Sequence, residues 1–316
     1  MNRPKFSFEK PHVRIGTRGS ALAMAQATSV QQALLDAYPG IEFLLRVIKT
    51  HGDKVQDRPL HEVGSTGLFT REIERALLER KIDIAVHSAK DLPAAMRPGL
   101  ELAAVPERAD ARDALYCPAG HTLAELPEGA TLATGALRRR SVLRSLRPDL
   151  QLVGMRGNLE TRLRKTREDD GIDATLVGAA GLQRMGWLEQ ATELIDPDAM
   201  IPAGGQGALG IQIREDDDRI YDLVDPLNHD ATERAVAAER AFLLRLEAGC
   251  QVPVACHAVV DGGRLTCDGM VAGLDGTPML RDHIEGDAED DEHLGRELAD
   301  KLLAAGARAV LDALAE

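Results

Sequence analysis

Twice within its first 180 residues the chain alternates short apolar runs of strand length with stretches whose apolar residues recur every three or four positions. That alternation is the pattern of layered α/β domains built on parallel strands. The first series opens with the strand HVRIGT at 12–17. Ser20 is the predicted N-cap of a helix over 21–37, which turns Leu22, Ala25, Val30, Ala33 and Leu34 to its buried side and stops at Pro39-Gly40. A strand over 41–49, a polar loop, a helix over about 68–80 and the strand IDIAVHS at 82–88 complete a βαβαβ unit. After a turn-rich stretch at 106–130 the pattern restarts, with strands at 131–134, 151–154 and 173–180 and helices at 137–147 and 158–168.

The glycine-rich run PAGGQGALGIQI at 202–213 reads as a hinge followed by a strand that leads back into the first domain. The expected division is a discontinuous α/β domain over 1–106 and 202–226, and a second α/β domain over 107–201. A small α+β domain follows over 227–316, with a helix over 231–248, antiparallel strands at 254–261 and 264–273, and a helical C-terminal region from about 290.

Composition bounds the function. The 316 residues carry a net charge of −13, so the global field repels polyanions, and any anion must be met by a local cluster of cations. Arg138-Arg139-Arg140 could touch a nucleic acid, but aromatic residues are only 3% of the chain and provide no stacking platform, so no nucleic-acid partner is expected. No apolar run approaches the roughly eighteen residues that span a bilayer, and none near the start is long enough for a signal peptide. The expectation is a cytoplasmic, monomeric protein without a membrane partner. Cys117, Cys250, Cys256 and Cys267 are too sparse for a disulfide framework, which fits a reducing compartment.

Local cations are plentiful in the second domain. Arg156-Gly157-Asn158 sits where a strand gives way to a helix that Asn158 can cap, and Arg138 and Arg139 follow the preceding strand in the same way. The first domain repeats the device with Arg18-Gly19-Ser20. Guanidinium groups pair two-pronged with carboxylates, and helix N-termini add N–H donors for the same anion. Arginines at the carboxyl ends of strands in two α/β domains point to a polyanionic ligand in the cleft between them. Arg140, Arg144, Arg164 and Arg167 read instead as solvated helix faces.

His87-Ser88-Ala89-Lys90-Asp91 directly follows an apolar strand, which places a carboxylate and an ammonium at its end. Such a carboxylate suits proton transfer or stabilisation of a cation, although taken alone the signal is weak and an Asp before Leu92-Pro93 is more often a turn former. Cys250, after the plausible helix C-cap Gly249, is placed for covalent attachment or as an inert thiol. Cys250, Cys256, His257 and Cys267 lack the spacing of a zinc site, and no metal is expected.

Together these blocks resemble the porphobilinogen deaminase (hydroxymethylbilane synthase) family from about Val13 to the C-terminus. The resemblance is carried by Arg14 to Ser20 with Gln26, Gly67 to Thr70, Asp83 to Pro93, Leu137-Arg138-Arg139, Arg156-Gly157-Asn158 with Thr161-Arg162-Leu163, Ala180-Gly181-Leu182 with Arg184, Pro202 to Gly210, and Glu247 to Pro253. It implies two α/β domains similar to periplasmic solute-binding proteins around a cleft, and a C-terminal α+β domain. It also implies a transferase of tetrapyrrole biosynthesis that joins four porphobilinogen molecules head to tail, releasing ammonia, into hydroxymethylbilane. By the same resemblance, growth occurs on a dipyrromethane cofactor held by a thioether at Cys250, and Asp91 is catalytic. Arg18, Ser20, Ser88, Lys90, Arg138, Arg139, Arg156, Arg162 and Arg184 correspond to positions that bind cofactor and substrate carboxylates.

The chain departs from that pattern at Thr66, where a lysine is common, at His51 and Glu62, and at Gly135-Ala136, where two serines are usual. Fewer donors should weaken anion binding. The competing reading is a noncatalytic two-lobed protein that holds a carboxylate-rich molecule. Retention of Asp91 and the Cys250 loop argues against it, because a pure binder needs neither.

Overall fold

A computed structural model of the protein describes residues 12–50, 52, 67, 70–248 and 252–314. Three sheets organise them. The strands of the first, in spatial order, are Glu42–Val47, His12–Thr17, Ile84–Ser88, Leu209–Arg214 and Leu100–Ala104. The first three run parallel, whereas Leu209–Arg214 is antiparallel to both its neighbours, so the chain returns to this sheet after building the second. The second sheet has the order Gln151–Val153, Thr131–Ala133, Ala174–Gly178, Asp113–Tyr116 and Glu193–Leu194. The third is an antiparallel meander of Val254–Asp261, Arg264–Ala272 and Met279–Asp287.

Helices follow their signals closely. Ala21–Ala37 begins at Ser20, whose hydroxyl accepts from the backbone N–H of Ala23, and buries Gln26, Ala27, Val30 and Leu34. Leu159–Glu168 begins at Asn158, whose side chain accepts from Thr161. The apolar faces meet in separate cores. Val13, Ile15, Val30, Leu34, Ile84 and Ile211 pack in the first lobe, and Leu115, Leu132, Val142, Leu150 and Leu176 in the second. The second core also takes in Ala255, Met270 and Ala272, so the meander is joined to the second lobe by apolar burial. Phe242, on the helix Asp230–Arg245, is fully buried between the meander and the helix Asp291–Ala304.

Three expectations need correction. The run 173–180 is a strand only to Gly178, and Ala179–Met185 forms a helix, because helix-favouring Ala, Gln and Met follow the glycine. The stretch at 106–130 contains the strand Asp113–Tyr116, hidden from pattern reading by the charge at its first position. Both α/β sheets are mixed rather than wholly parallel, since Asp113–Tyr116 is antiparallel to both its neighbours. Among the described residues, no helix is long and apolar enough to cross a membrane.

Candidate active site in the cleft between the lobes

The carboxyl ends of the parallel strands in the two α/β sheets, among them His12–Thr17, Ile84–Ser88 and Ala174–Gly178, open onto one cavity of ≈ 760 Å³. The first lobe lines it with Arg18, Ser20, Lys49, Ser88, Lys90 and Asp91. The second contributes Arg139, Arg156, Asn158, Arg162 and Arg184, and the hinge contributes Gln206, Gly207 and Ala208. Among the described lining residues Asp91 is the only carboxylate, facing seven basic side chains. A cavity so lined attracts a polyanion despite the acidic whole.

Local folding explains each position. Strand His12–Thr17 ends at the cleft, where the Thr17 hydroxyl donates to the Ala23 carbonyl at 3.1 Å and ties the Arg18-Gly19-Ser20 crossing to the following helix. Gln26, buried one turn further on, donates from Nε2 to the Ser88 hydroxyl at 3.0 Å. Ile84–Ser88 passes into the short 3-10 turn Ala89–Asp91, which brings Lys90 and Asp91 to the cavity. The turn is anchored by the Ala89 N–H, which donates to the Ala208 carbonyl at 3.0 Å. Across the cleft, Arg162 Nε donates to the Gly157 carbonyl at 2.9 Å and Arg184 Nη2 to the Gly207 carbonyl at 2.6 Å. Each guanidinium is thereby oriented while keeping further donors for a ligand.

Arg138 and Arg139 behave differently from their neighbours. Both are buried, and both turn toward the buried carboxylate of Asp113. Arg138 also donates to the Ile201 carbonyl at 2.8 Å, and Arg139 to that of Leu176 at 2.6 Å. Arg139 still lines the cavity, whereas Arg138 does not. Two positively charged neighbours need a countercharge when taken from water, and Asp113 supplies it. Burial alone would raise the Asp113 carboxyl, but the two guanidinium groups outweigh it and hold it below the usual carboxylate range.

Burial sets the charge state of two groups beside Asp91. It pushes the His87 imidazole down to about 4, so this residue is neutral near pH 7. It also brings Lys90 down to about 8, against the opposing pull of Asp91, leaving an ammonium close to its point of proton loss. Arg162 is lowered to about 10 by burial and then by Arg139, and stays charged.

Of the positions expected from sequence, Arg18, Ser20, Ser88, Lys90, Asp91, Arg139, Arg156, Arg162 and Arg184 therefore gather around one cavity, and Arg138 stands behind it. Cys250, with His51, Glu62 and Thr66, lies outside the described residues. Cys117, Cys256 and Cys267 are buried free thiols. Sequence reasoning passed over Asp113, Gln206 and Lys49. A lone Asp at the start of an apolar tetrapeptide and a Gln amid glycines carry no chemical signature, although Lys49, just past a strand end, could have been found by the rule that found Arg18.

Comparison with known proteins adds a separate line of observation. Residues 13–222 match the family model described as porphobilinogen deaminase, dipyromethane cofactor binding domain, and residues 234–304 match porphobilinogen deaminase, C-terminal domain. A porphobilinogen deaminase of Trichlorobacter lovleyi is 50% identical over 300 residues, covering 95% of this chain and 96% of that protein. One of Geobacter sulfurreducens is 50% identical over 299 residues, covering 95% and 93%. One of Syntrophobacter fumaroxidans is 47% identical over 300 residues, covering 95% and 97%. Among solved structures, the effector-binding domain of BenM with benzoate is similar with a TM-score of 0.42 at 16% identity, covering 70% of this chain and 91% of that one.

Proposed function

Because the chain belongs to the porphobilinogen deaminase family, we propose that its cleft joins four porphobilinogen molecules head to tail into hydroxymethylbilane, with release of ammonia. The observation that carries this reading is Asp91, the single carboxylate among the described lining residues, set among seven basic side chains in one cavity. Pyrroles bearing acetate and propionate groups are dense in carboxylate, and arginines grip such groups in pairs.

The residues present fit a dipyrromethane cofactor. Arg156 lines the cavity with a buried Nη1 that has no hydrogen-bond partner among the described residues, a donor left for a ligand's carboxylate. Arg18, Ser20, Ser88, Lys90, Arg139, Arg156, Arg162 and Arg184 would hold its carboxylates and those of the substrate. Arg138 serves through the Asp113 pair behind them. When bound, the cofactor supplies a fixed primer that stays with the protein while product leaves. Its attachment at Cys250 is what the resemblance of the Glu247 to Pro253 block implies, and Cys117, Cys256 and Cys267 are buried.

Asp91 accepts hydrogen bonds from pyrrole N–H groups and stabilises the positive charge that develops as the aminomethyl nitrogen departs as ammonia. The arginines hold the substrate carboxylates so that the reacting carbon meets its partner at a fixed place. His87, neutral, adds no competing cation beside Asp91. A reducing, cytoplasmic compartment fits Cys256 and Cys267, whose sulfurs lie 3.3 Å apart as free thiols.

Intact mass with peptide mapping tests the assignment. The expected result is an added mass of two linked pyrroles on the peptide containing Cys250, lost in Cys250→Ser, together with ammonia and tetrapyrrole formation from porphobilinogen. Saturable uptake of porphobilinogen with no adduct and no product would instead establish a binding protein.

A further inference from the structure

Gln206 is 2% exposed, and its amide is engaged at both ends. Nε2 donates to the Ala111 carbonyl at 2.7 Å and to Asp113 Oδ1 at 2.9 Å, while Oε1 accepts from Lys90 Nζ at 3.2 Å. Because both nitrogen partners are pure acceptors, the amide cannot flip, and its oxygen must face the lysine. The backbone is held as firmly. The Gln206 carbonyl accepts from Arg108 Nε at 2.8 Å, and the Gly205 N–H donates to Glu239 Oε2 at 2.6 Å. Gly205 has φ +75°, and a Cβ there would stand 2.7 Å from the Lys90 nitrogen, so hinge and catalytic turn touch through bare backbone.

We propose that Gln206 is a positioning residue for the cleft: it fixes the Lys90 ammonium beside Asp91 and joins it to the buried Asp113 pair. The proposal rests on the reading of the cleft as the active site. Among the described residues the charged groups around Lys90 are Asp91 from its own turn, Asp113 from the strand Asp113–Tyr116, and Arg138 and Arg139 from the helix Leu137–Leu146. From the strand Ala174–Gly178 comes only Gly178, where a Cβ would lie 3.5 Å from Nζ. Among the described residues two cations and two carboxylates oppose one another around the lysine, and a neutral amide oxygen held in place adds a directed acceptor that bears on where it stands and how readily it keeps its proton.

The test is competitive acetylation of the unmodified protein across about pH 6 to 11, with the titration midpoint of Lys90 read from its own peptide. In Gln206→Met, which keeps the volume and removes both ends of the amide, the midpoint should fall by about one pH unit because the ammonium loses the Gln206 acceptor. Gln206→Asn, which retains an amide for Asp113 but draws the oxygen back, should shift it the same way, and carries the test if Q206M does not fold. Gln206→Glu, with a carboxylate facing the lysine, should raise it. An unmoved midpoint in a variant with wild-type melting temperature overturns the proposal. Lysine titration does not depend on turnover, so failure of the enzymatic reading appears separately, as a normal Lys90 shift in a protein that makes no product.

Discussion

Arg139 donates from Nε and Nη2 to the same oxygen of Asp113, at 3.1 and 2.7 Å, and neither side chain is more than 5% exposed. With Arg138 and Gln206 on the same carboxylate, four donor contacts converge on Oδ1. Such a carboxylate is structural even though it lies one residue behind the reacting cleft, because removing it leaves two guanidinium groups buried without a countercharge.

Asp113→Ala should therefore lose about 3–5 kcal/mol of stability, the usual consequence of breaking a buried ion pair from one side. Urea denaturation measures it directly. A loss below about 1 kcal/mol would mean that the arginines find water or another partner.

Acid should unfold the protein through the same kind of group. Burial alone would raise the Glu239 carboxyl, but Arg108 and His257 outweigh it and hold it at about 2, below its ordinary 4.5. Asp113 is held down likewise by Arg138 and Arg139. A depressed carboxyl contributes stability that is complete above its unfolded value and disappears as pH falls toward its folded one. Stability should thus decline steadily below about pH 4.5, with a proton uptake on unfolding that Glu239→Gln reduces. A curve flat between pH 5 and about pH 2.5 would contradict this linkage.

Replacing Asp91 by Ala should cut turnover by about 10²–10⁴-fold, the range for loss of a positioned acid–base or charge-stabilising group. The melting temperature should hardly change, since Asp91 is partly exposed to the cavity. Ammonia release followed in single-turnover mode separates the chemical step from product departure, and normal turnover in the variant would remove Asp91 from the reaction.

Arg156→Leu should weaken porphobilinogen binding by roughly 10- to 100-fold, the equivalent of one or two charge-assisted hydrogen bonds. Calorimetric titration of the variant distinguishes this from a folding defect, because the side chain makes no ion pair within the described protein that its loss would break.

The two small residues before the helix Leu137–Leu146 should respond in opposite ways to serine. Ala136 has the extended backbone of an N-cap but no side chain to cap with, so Ala136→Ser should stabilise by about 1 kcal/mol. A Cβ on Gly135 would stand 2.8 Å from the Met155 carbonyl oxygen, so Gly135→Ser should displace backbone and destabilise by about 1–3 kcal/mol. Thermal melts of the two variants settle both signs.

Much of this was legible from sequence, and the reasons differ by residue. Ser20 and Asn158 announced their helices because capping is a local interaction, read within three positions. The basic loops were found because strand-end arginines stand out from an acidic chain. Asp113 and Gln206 were not, because their meaning is created by contacts across 25 and 93 positions that no local pattern encodes. Nor could spacing separate Arg138 from Arg139: adjacent helical residues point about 100° apart, and only the assembled second lobe decides which of the two sees the cavity.

The strand Leu209–Arg214 fills the gap between Ile84–Ser88 and Leu100–Ala104, and the latter has no other partner in its sheet. During synthesis, the N-terminal lobe must wait with one open edge while more than a hundred further residues emerge from the ribosome. The second lobe, contiguous in sequence, is free to fold first. Ribosome-bound chains that have released residue 201 but not yet the strand Leu209–Arg214 would then hold a finished second sheet beside an unfinished first one, and an open edge of that kind is the surface on which chaperones and misassembly compete.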